Sequence, residues 1–146
     1  PTGDEAVSLI CYNLNTSPQH RKVQATISRS DYLLRETMTG KPIPQNKRII
    51  LYDWTGQTAS ELDTDQQTEL EGFTDRLYHL CPVNNGWAVI GVQEKFLSPA
   101  TVRIISCNRK QLTLDVLCPG TVRVWVESGN KGITQHSGNN SGHYDN

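Results

Sequence analysis

Residues 64–81 hold the clearest helical pattern in this chain, and a helix of this kind constrains what the remaining residues can form. Thr64 and Gln67 have the spacing of an N-terminal capping box. The apolar positions that follow share one stripe at helical spacing: Leu70, Phe73, Leu77 and Leu80. Because such a stripe must be buried against another element, the sequence predicts one principal amphipathic helix, residues 64–81, packed on a sheet.

Most other apolar residues lie in short runs typical of strands. Several of these runs alternate apolar and polar positions, as strands with one buried face do, whereas residues 48–54 are predicted to be a buried third strand. The runs are residues 7–12, 21–28, 48–54, 87–92, 101–107, 111–118 and 121–127. Turn-forming residues separate them, for example Asn85-Gly86, and a short helical turn capped by Ser30 is also predicted. The predicted fold class is α+β: a mainly antiparallel, β-sandwich-like sheet of about six or seven strands with the principal helix packed on it.

The last two runs form a predicted hairpin whose register follows from parity. Their inward residues all have even numbers: Leu112, Leu114, Val116, Val122, Val124 and Val126. Since the numbers of facing residues in an antiparallel pair have a constant sum, even residues face each other only when that sum is even. We therefore expect a three-residue connection with Gly120 at positive φ, which places Val116 opposite Val124 and Asp115 opposite Trp125.

The cysteine content indicates two disulfides. The four cysteines are Cys11, Cys81, Cys107 and Cys118. If the strands on either side of residues 108–110 form a hairpin, Cys107 and Cys118 lie about 20 Å apart, whereas a disulfide joins Cα atoms at most about 7 Å apart. Two pairings then remain: Cys11–Cys107 with Cys81–Cys118, and Cys11–Cys118 with Cys81–Cys107. In both of them Cys81 fastens the end of the helix to the sheet.

An even number of cysteines together with two N-glycosylation sequons is typical of a secreted, extracellular protein. The sequons are Asn15-Thr16-Ser17 and Asn139-Asn140-Ser141. No apolar run reaches the roughly 18 residues of a membrane span, and no signal peptide heads the chain, so we expect a mature form without a membrane span.

The length of 146 residues predicts one disulfide-stabilised α+β domain over residues 1–128, and we expect a monomer. Residues 129–146 are nearly all polar or glycine and bury too little apolar surface to offset the entropy of ordering them. This segment is therefore predicted to be a flexible polar tail.

Trp125 is the leading candidate for a contact residue. It alternates outward between Val124 and Val126 and shares that face with Arg123, an arrangement that suits a protein or sugar partner. The alternative is that a second layer of the fold covers this face. Trp54, at the end of another predicted strand, is a second aromatic candidate.

A polar loop supplies the remaining candidates for binding, His20, Arg21 and Lys22, whose side chains suit contact with phosphate. Residues 21–48 hold seven Lys or Arg and two acidic residues, whereas residues 49–75 hold seven acidic residues and no basic one. This distribution predicts one basic and one acidic surface.

No catalytic residue is predicted, since nucleophile and nucleotide-binding motifs such as GxSxG and GxGxxG are absent from the sequence. The cysteines and histidines lack the spacing of zinc ligands, and we expect no metal and no other cofactor. A ribonuclease-like hydrolase would require His20 or His79 to converge with groups such as Glu69 and Arg76. On the predicted helix, however, His79 follows Asp75 by one turn and forms a solvated pair with it.

The predicted function is therefore binding. We expect a small secreted protein that acts on a host protein or receptor, as a pathogen effector or virulence factor does. The first alternative is the ribonuclease-like hydrolase, with RNA as substrate. The second is a carbohydrate-binding module, which would expose Trp125 and another aromatic side chain on one flat strand face and bind a glycan.

Overall fold

The computed structural model describes residues 6–14, 22–72, 74–127, 132–136 and 141–145, which form one α-helix and twelve strands. In chain order these are β1 (Val7–Asn13), β2 (Val23–Ile27), α1 (Arg29–Thr39), β3 (Ile49–Asp53), β4 (Thr58–Glu61), β5 (Gln66–Leu70), β6 (Thr74–Pro82), β7 (Trp87–Val92), β8 (Val102–Cys107), β9 (Gln111–Val116), β10 (Val122–Val126), β11 (Gly132–His136) and β12 (Ser141–Asp145). A 3₁₀ helix spans Ser98–Thr101.

The predicted α+β class is confirmed, but the described strands form four mostly antiparallel sheets in place of one. Their strand orders are β1-β6-β3-β4, β2-β5, β10-β7 and β11-β12-β9-β8. The chain divides into two compact units: an N-terminal unit, Val7–Leu80, and a C-terminal unit made of Cys81–Asn146 with Pro1–Ala6. The single domain over residues 1–128 stays a prediction.

In the N-terminal unit, a four-stranded sheet and the β2–β5 ribbon contribute to one hydrophobic core. β1 runs antiparallel to β6 from Val7 opposite Leu80 to Asn13 opposite Thr74. The buried core residues come from both sheets, from α1 and from the loop after β4: Ile27, Tyr32, Ile49, Leu51, Leu62, Tyr78 and Leu80. The buried third strand predicted within residues 48–54 is confirmed as β3.

The N-terminal unit contains the helix α1, which is eleven residues long. For this segment the sequence predicts only a short helical turn capped by Ser30. The backbone N–H of Ser28 donates to Asp31 Oδ2 at 2.8 Å, so the N-cap is Ser28. At the other end, Gly40 has φ of 69° and its N–H donates to the Glu36 carbonyl at 2.9 Å. Tyr32 is the buried residue of α1 and joins the helix to the core.

The principal helix predicted for residues 64–81 is wrong, because this segment forms β5 and β6. Gly72 lies in the turn between them, where the Thr74 hydroxyl donates to the Glu71 carbonyl at 2.6 Å. The residues of β6 from Leu77 to Leu80 are all buried, on both faces of the strand. A strand buried on both faces carries apolar residues at consecutive positions, and some of these also fall at helical spacing.

In the C-terminal unit, β7 and β10 pack with β8 and β9 around a second core. Its buried residues are Trp87, Leu112 and Leu114. Partly buried side chains complete the cluster: Val89, Ile104, Cys107, Val122, Val124 and Val126. Five of the six inward-facing residues predicted for β9 and β10 belong to this core: Leu112, Leu114, Val122, Val124 and Val126.

The predicted hairpin of β9 and β10 is wrong. β10 pairs with β7, where Val124 is opposite Val89 and Trp125 is opposite Ala88. β9 instead lies between β8 and β12. The apolar faces of β9 and β10 meet across the core from two different sheets. The rule of even residue numbers gives the register of two strands only when the strands are known to pair. Alternating apolar positions do not show whether a second strand is the neighbour in the same sheet or packs from another sheet across the core.

Three local predictions for the C-terminal unit are confirmed. β8 and β9 form the expected hairpin. Asn85 and Gly86 have φ of 53° and 83°, and the flanking Asn84 and Trp87 exchange two backbone hydrogen bonds of 2.8 and 3.0 Å. Gly120 has the expected positive φ, 144°.

Two strands, β11 and β12, lie within residues 129–146, for which the sequence predicts a flexible tail. β12 pairs with β11 on one side and with β9 on the other, where Gly142 is opposite Leu114. Strand pairing uses backbone N–H and C=O groups, which a polar segment has as fully as an apolar one.

Candidate functional site

The edge of the N-terminal unit carries a row of exposed apolar side chains on β1. β1 is the outermost strand of its sheet and, in the described part of the chain, pairs with β6 alone. Leu9 and Cys11 pack on the core, whereas Ile10 and Tyr12 point to the opposite face and are 41% and 60% exposed. Leu14, just beyond the strand, continues the alternation and is 74% exposed. Ile10, Tyr12 and Leu14 are named here the β1 edge surface.

β1 lacks the features by which proteins usually protect an exposed sheet edge. Its sequence, VSLICYN, contains no charged residue and no proline, and it is seven residues long. Charged side chains, prolines and very short strands are the usual devices that prevent an edge from pairing with another chain. The β1 edge surface therefore combines an unprotected backbone edge with apolar side chains that a further strand can cover.

A polar cavity of about 240 Å³ lies elsewhere in the N-terminal unit. The four-stranded sheet and the β2–β5 ribbon both contribute to its wall. The lining residues are Ile27, Leu51, Asp53, Thr58, Ser60, Gln66, Gln67, Thr68, Arg76 and Tyr78. Most of these carry hydrogen-bonding side chains, so the cavity suits a polar ligand better than an apolar one.

An ion pair forms part of the cavity wall. Arg76 Nη2 donates to Asp53 Oδ2 at 3.1 Å, and Asp53 Oδ1 accepts a hydrogen bond from the Gly56 backbone N–H, also at 3.1 Å. The Nε of Arg76 is buried and has no hydrogen-bond partner among the described residues. A buried N–H without an acceptor is costly, so this ion pair stabilises the cavity wall less than a fully hydrogen-bonded one would.

His79 lies on the face of β6 opposite to Arg76. It is completely buried, its Nδ1 is hydrogen-bonded to Ser8 Oγ at 2.8 Å, and its ring is parallel to that of Tyr52 at a centroid distance of 6.3 Å. The predicted solvated pair with Asp75 is therefore wrong. Because residues three positions apart on a strand point to opposite faces, β6 does not bring His79 and Arg76 together as the ribonuclease alternative requires.

The predicted contact residues on β10 are only partly accessible. Trp125 and Arg123 share one face of the strand, as predicted, but both are half-buried. Trp54 is also half-buried, and its backbone N–H donates to the Leu77 carbonyl at 3.1 Å. The flat, exposed aromatic face expected of a carbohydrate-binding module is not found at Trp125, and a role of these three residues in binding stays a prediction.

The basic loop is described only at its end. His20 and Arg21 lie outside the described residues, so their predicted role in binding stays a prediction. Lys22 Nζ contacts the carboxylates of Glu69 and Glu71 at 3.5 and 3.7 Å. A basic residue of the first charged segment thus pairs with acidic residues of the second, which weakens the predicted separation of charge.

The predicted disulfides are wrong, because none of the four cysteines forms one: Cys11, Cys81, Cys107 and Cys118. The exclusion of a Cys107–Cys118 bond is confirmed, since Cys107 is opposite Leu112 in the hairpin and Cys118 lies six residues further along. The Cys107 thiol instead donates to the Asn84 carbonyl at 3.5 Å. Cys81 is completely buried in strand β6. Because this segment is not helical, the helix end that Cys81 was predicted to fasten does not exist.

Burial determines the chemistry of two of the thiols. It raises the pKa of Cys81 to about 12. Burial, followed by the nearby Asp31 carboxylate, also raises the pKa of Cys11. Both thiols are therefore protonated near neutral pH, and neither is a nucleophile there, because the thiolate is the reactive form.

The raised pKa of Cys81 predicts a loss of stability in alkaline solution. The unfolded thiol loses its proton near its ordinary value of 9.0, whereas the folded thiol keeps it up to about 12, so the free energy of unfolding falls as pH rises through this range. We expect Cys81→Ala to reduce this fall, measured by urea unfolding at about pH 8 and pH 10. An equal fall in Cys81→Ala and wild type would contradict the prediction.

Neither the β1 edge surface nor the cavity is among the sites predicted from the sequence. A signal for the edge is present: in VSLICYNL the apolar residues Ile10, Tyr12 and Leu14 occupy one face while Leu9 and Cys11 occupy the other. A strand with apolar residues on both faces has either two buried faces or one face that a partner covers. The cavity has no such signal, because its residues come from five different strands.

Among the described residues, no group of three or more His, Cys, Asp or Glu side chains is placed to hold a metal ion. No helix in this part of the chain is long and apolar enough to cross a membrane. Comparison of the chain with protein-family models gives no match, and comparison with curated proteins gives none either.

Proposed function

We propose that this protein acts by binding another protein, and that an extended segment of the partner pairs with β1 as an additional strand. The observation that carries the proposal is the β1 edge surface, in which Ile10, Tyr12 and Leu14 are exposed on an unprotected edge strand. Partner segments that add to a sheet edge gain affinity from backbone hydrogen bonds and specificity from alternate side chains.

The chemistry of β1 favours a protein over a nucleic acid or a glycan. Residues 7–14 contain no Lys or Arg, and contact with the phosphates of nucleic acid requires such residues. Tyr12 is the one side chain of the β1 edge surface with a hydrogen-bonding group, whereas Ile10 and Leu14 have none with which to recognise a sugar hydroxyl. A backbone edge with alternating apolar side chains matches the edge of another polypeptide strand.

Secretion and a role as a host-directed effector belong to the same proposal. The absence of disulfides among the four cysteines removes one of its supports, so it depends on the two sequons at Asn15 and Asn139. A protein of the host or a receptor remains the proposed partner. In any compartment, the proposed contact is the β1 edge surface.

Selected peptides test the site of binding. Peptides of about twelve residues are selected from a random displayed library on the full chain, and their affinities are measured by fluorescence anisotropy. We expect the double variant Ile10→Lys with Tyr12→Lys to bind them at least about tenfold more weakly, because lysines on the covered face cannot be buried without cost. The control is Leu34→Lys with Met38→Lys on α1, which replaces side chains that are 55% and 81% exposed and should leave the affinity unchanged.

Two further measurements test the mode of binding. The backbone amides of β1 should exchange with deuterium more slowly when a selected peptide is bound, because the added strand forms hydrogen bonds with the outer side of β1. Two versions of a selected peptide are also made, each methylated at a different set of alternate backbone nitrogens. Because only alternate N–H groups of an added strand point toward β1, methylation of one set should abolish binding and methylation of the other should not. Peptides that bind both lysine variants equally, or that leave the exchange of β1 unchanged, would overturn the proposal.

A further inference from the structure

We infer that the polar cavity of the N-terminal unit binds a neutral, polyhydroxylated ligand, namely a single sugar residue. The site is independent of the proposed protein contact. Arg76 is opposite Cys11 and therefore lies on the core-facing side of the β1–β6 pair, whereas Ile10 and Tyr12 are on the other side. Occupation of the cavity consequently does not require the β1 edge surface.

The size of the cavity limits the ligand to one ring. Its volume of about 240 Å³ is below the roughly 300–1,000 Å³ that is typical of sites for drug-sized ligands. Ile27, Leu51 and Tyr78 supply an apolar part of the wall against which the C–H groups of a ring can pack. The remainder of the wall is polar.

The charge of the cavity favours a neutral ligand. Asp53 and Arg76 form an ion pair, with side chains that are 20% and 35% exposed, so the arginine is already neutralised. An anion that approached the Arg76 guanidinium would also approach the Asp53 carboxylate, which repels it. An uncharged hydroxyl can hydrogen-bond to the polar groups around this ion pair without introducing a second negative charge.

The hydrogen-bonding groups of the wall match a ligand with several hydroxyls. The amide nitrogens of Gln66 and Gln67 donate within the protein, to the Thr64 carbonyl at 3.4 Å and to Thr26 Oγ1 at 3.1 Å. Their amide oxygens are thus acceptors available in the wall.

Two hydroxyls complete this set of groups. Those of Thr58 and Ser60 form no hydrogen bond with other described residues, and each can donate and accept. A sugar hydroxyl likewise donates and accepts, and one ring carries several hydroxyls in a fixed arrangement. An amide or a carboxylate presents fewer groups and cannot pair with all of this wall.

Binding of monosaccharides to the full chain tests the inference. Glucose, galactose, mannose and xylose are screened by ligand-observed NMR, and the dissociation constant of the best one is measured from the shifts of backbone amides. We expect saturable binding in the millimolar range, about 4 kcal/mol, as befits a single ring held by a few hydrogen bonds. The shifted amides should belong to cavity residues.

Matched variants locate the site. Thr58→Val with Ser60→Ala removes two hydroxyls of the cavity wall that have no hydrogen-bond partner among the described residues and keeps the Asp53–Arg76 ion pair, and it should weaken binding at least about tenfold. Thr37→Val with Ser106→Ala makes the same chemical change at two exposed positions outside the cavity and should leave binding unchanged.

Competing ligands distinguish a sugar from other polar molecules. Glucuronate, inorganic phosphate and acetamide are measured in the same way. Tighter binding of glucuronate or phosphate than of every neutral sugar would overturn the inference in favour of an anion site, and tighter binding of acetamide would overturn it in favour of an amide guest. The absence of binding by all four sugars, or equal binding by both double variants, would also overturn it.

Discussion

Alanine in place of Gly91 is expected to lower the free energy of unfolding by more than about 4 kcal/mol, a loss that few single substitutions cause. Gly91 lies in β7 with φ of 104°, a conformation that residues with a Cβ rarely adopt. A Cβ at this position would lie 1.8 Å from the Ser98 carbonyl oxygen and 2.5 Å from the carbonyl carbon. Both distances are much shorter than a van der Waals contact. The added Cβ would overlap the backbone of Ser98, which cannot rotate away as a side chain can.

The Ser98 carbonyl cannot move aside without further loss. It accepts a hydrogen bond from Thr101 Oγ1 at 2.6 Å, and Thr101 Oγ1 accepts one from the Val92 backbone N–H at 2.9 Å. Ser98 itself is completely buried in the 3₁₀ helix. A shift of this carbonyl therefore breaks two linked hydrogen bonds next to β7, and leaves buried groups without partners.

Gly86→Ala is the matched control in the same unit. Gly86 also has positive φ, 83°, but a Cβ there would meet only the Glu127 side chain, whose Oε2 is 3.1 Å away and can rotate aside. We expect this change to cost about 1–2 kcal/mol, the price of the backbone conformation alone. Urea unfolding followed by tryptophan fluorescence measures both variants. Equal losses at Gly86 and Gly91 would show that the close approach to Ser98 does not exist in solution.

The parts of the fold that the sequence predicts correctly are those set by neighbouring residues. Asn85-Gly86 forms the expected turn and Gly120 has the expected positive φ, because backbone conformation at such positions depends on the residues themselves. The β8–β9 hairpin is likewise confirmed, and its three-residue turn is stabilised by Asn108, whose Oδ1 accepts from the backbone N–H groups of Lys110 and Gln111 at 2.8 Å.

The parts that fail depend on residues distant in the sequence. Alternation in β10 identifies Val122, Val124 and Val126 as inward-facing, yet it contains no information on whether β7 or β9 is the neighbour in the sheet. The disulfide prediction fails because it also depends on distant residues. An even number of cysteines indicates disulfides only if the fold brings their thiols together. The candidate sites were least predictable, since the cavity that contains Asp53 and Arg76 exists only after five strands have assembled.

The helix that the sequence predicts for residues 64–81 and the strand that the structure contains there give opposite predictions for His79. On the helix, His79 and Asp75 share an exposed face, and either residue tolerates replacement. On β6, Asp75 is exposed but His79 is completely buried beside Ser8 and Tyr52. Replacing each residue by lysine therefore distinguishes the helix from the strand. The introduced side chain has the same size and charge at both positions, so a difference in stability reports the difference in burial.

His79→Lys is expected to lower the free energy of unfolding by about 3–5 kcal/mol, since it places an unpaired ammonium group in a site without access to water and removes the nitrogen that is hydrogen-bonded to Ser8 Oγ at 2.8 Å. Asp75→Lys on the same strand should change stability by at most about 0.5 kcal/mol, as exposed substitutions usually do. Both values come from urea unfolding at neutral pH. Equally small effects at the two positions would favour the helix, because only an exposed residue 79 can accept a charge without loss; a large effect at His79 alone requires the buried strand.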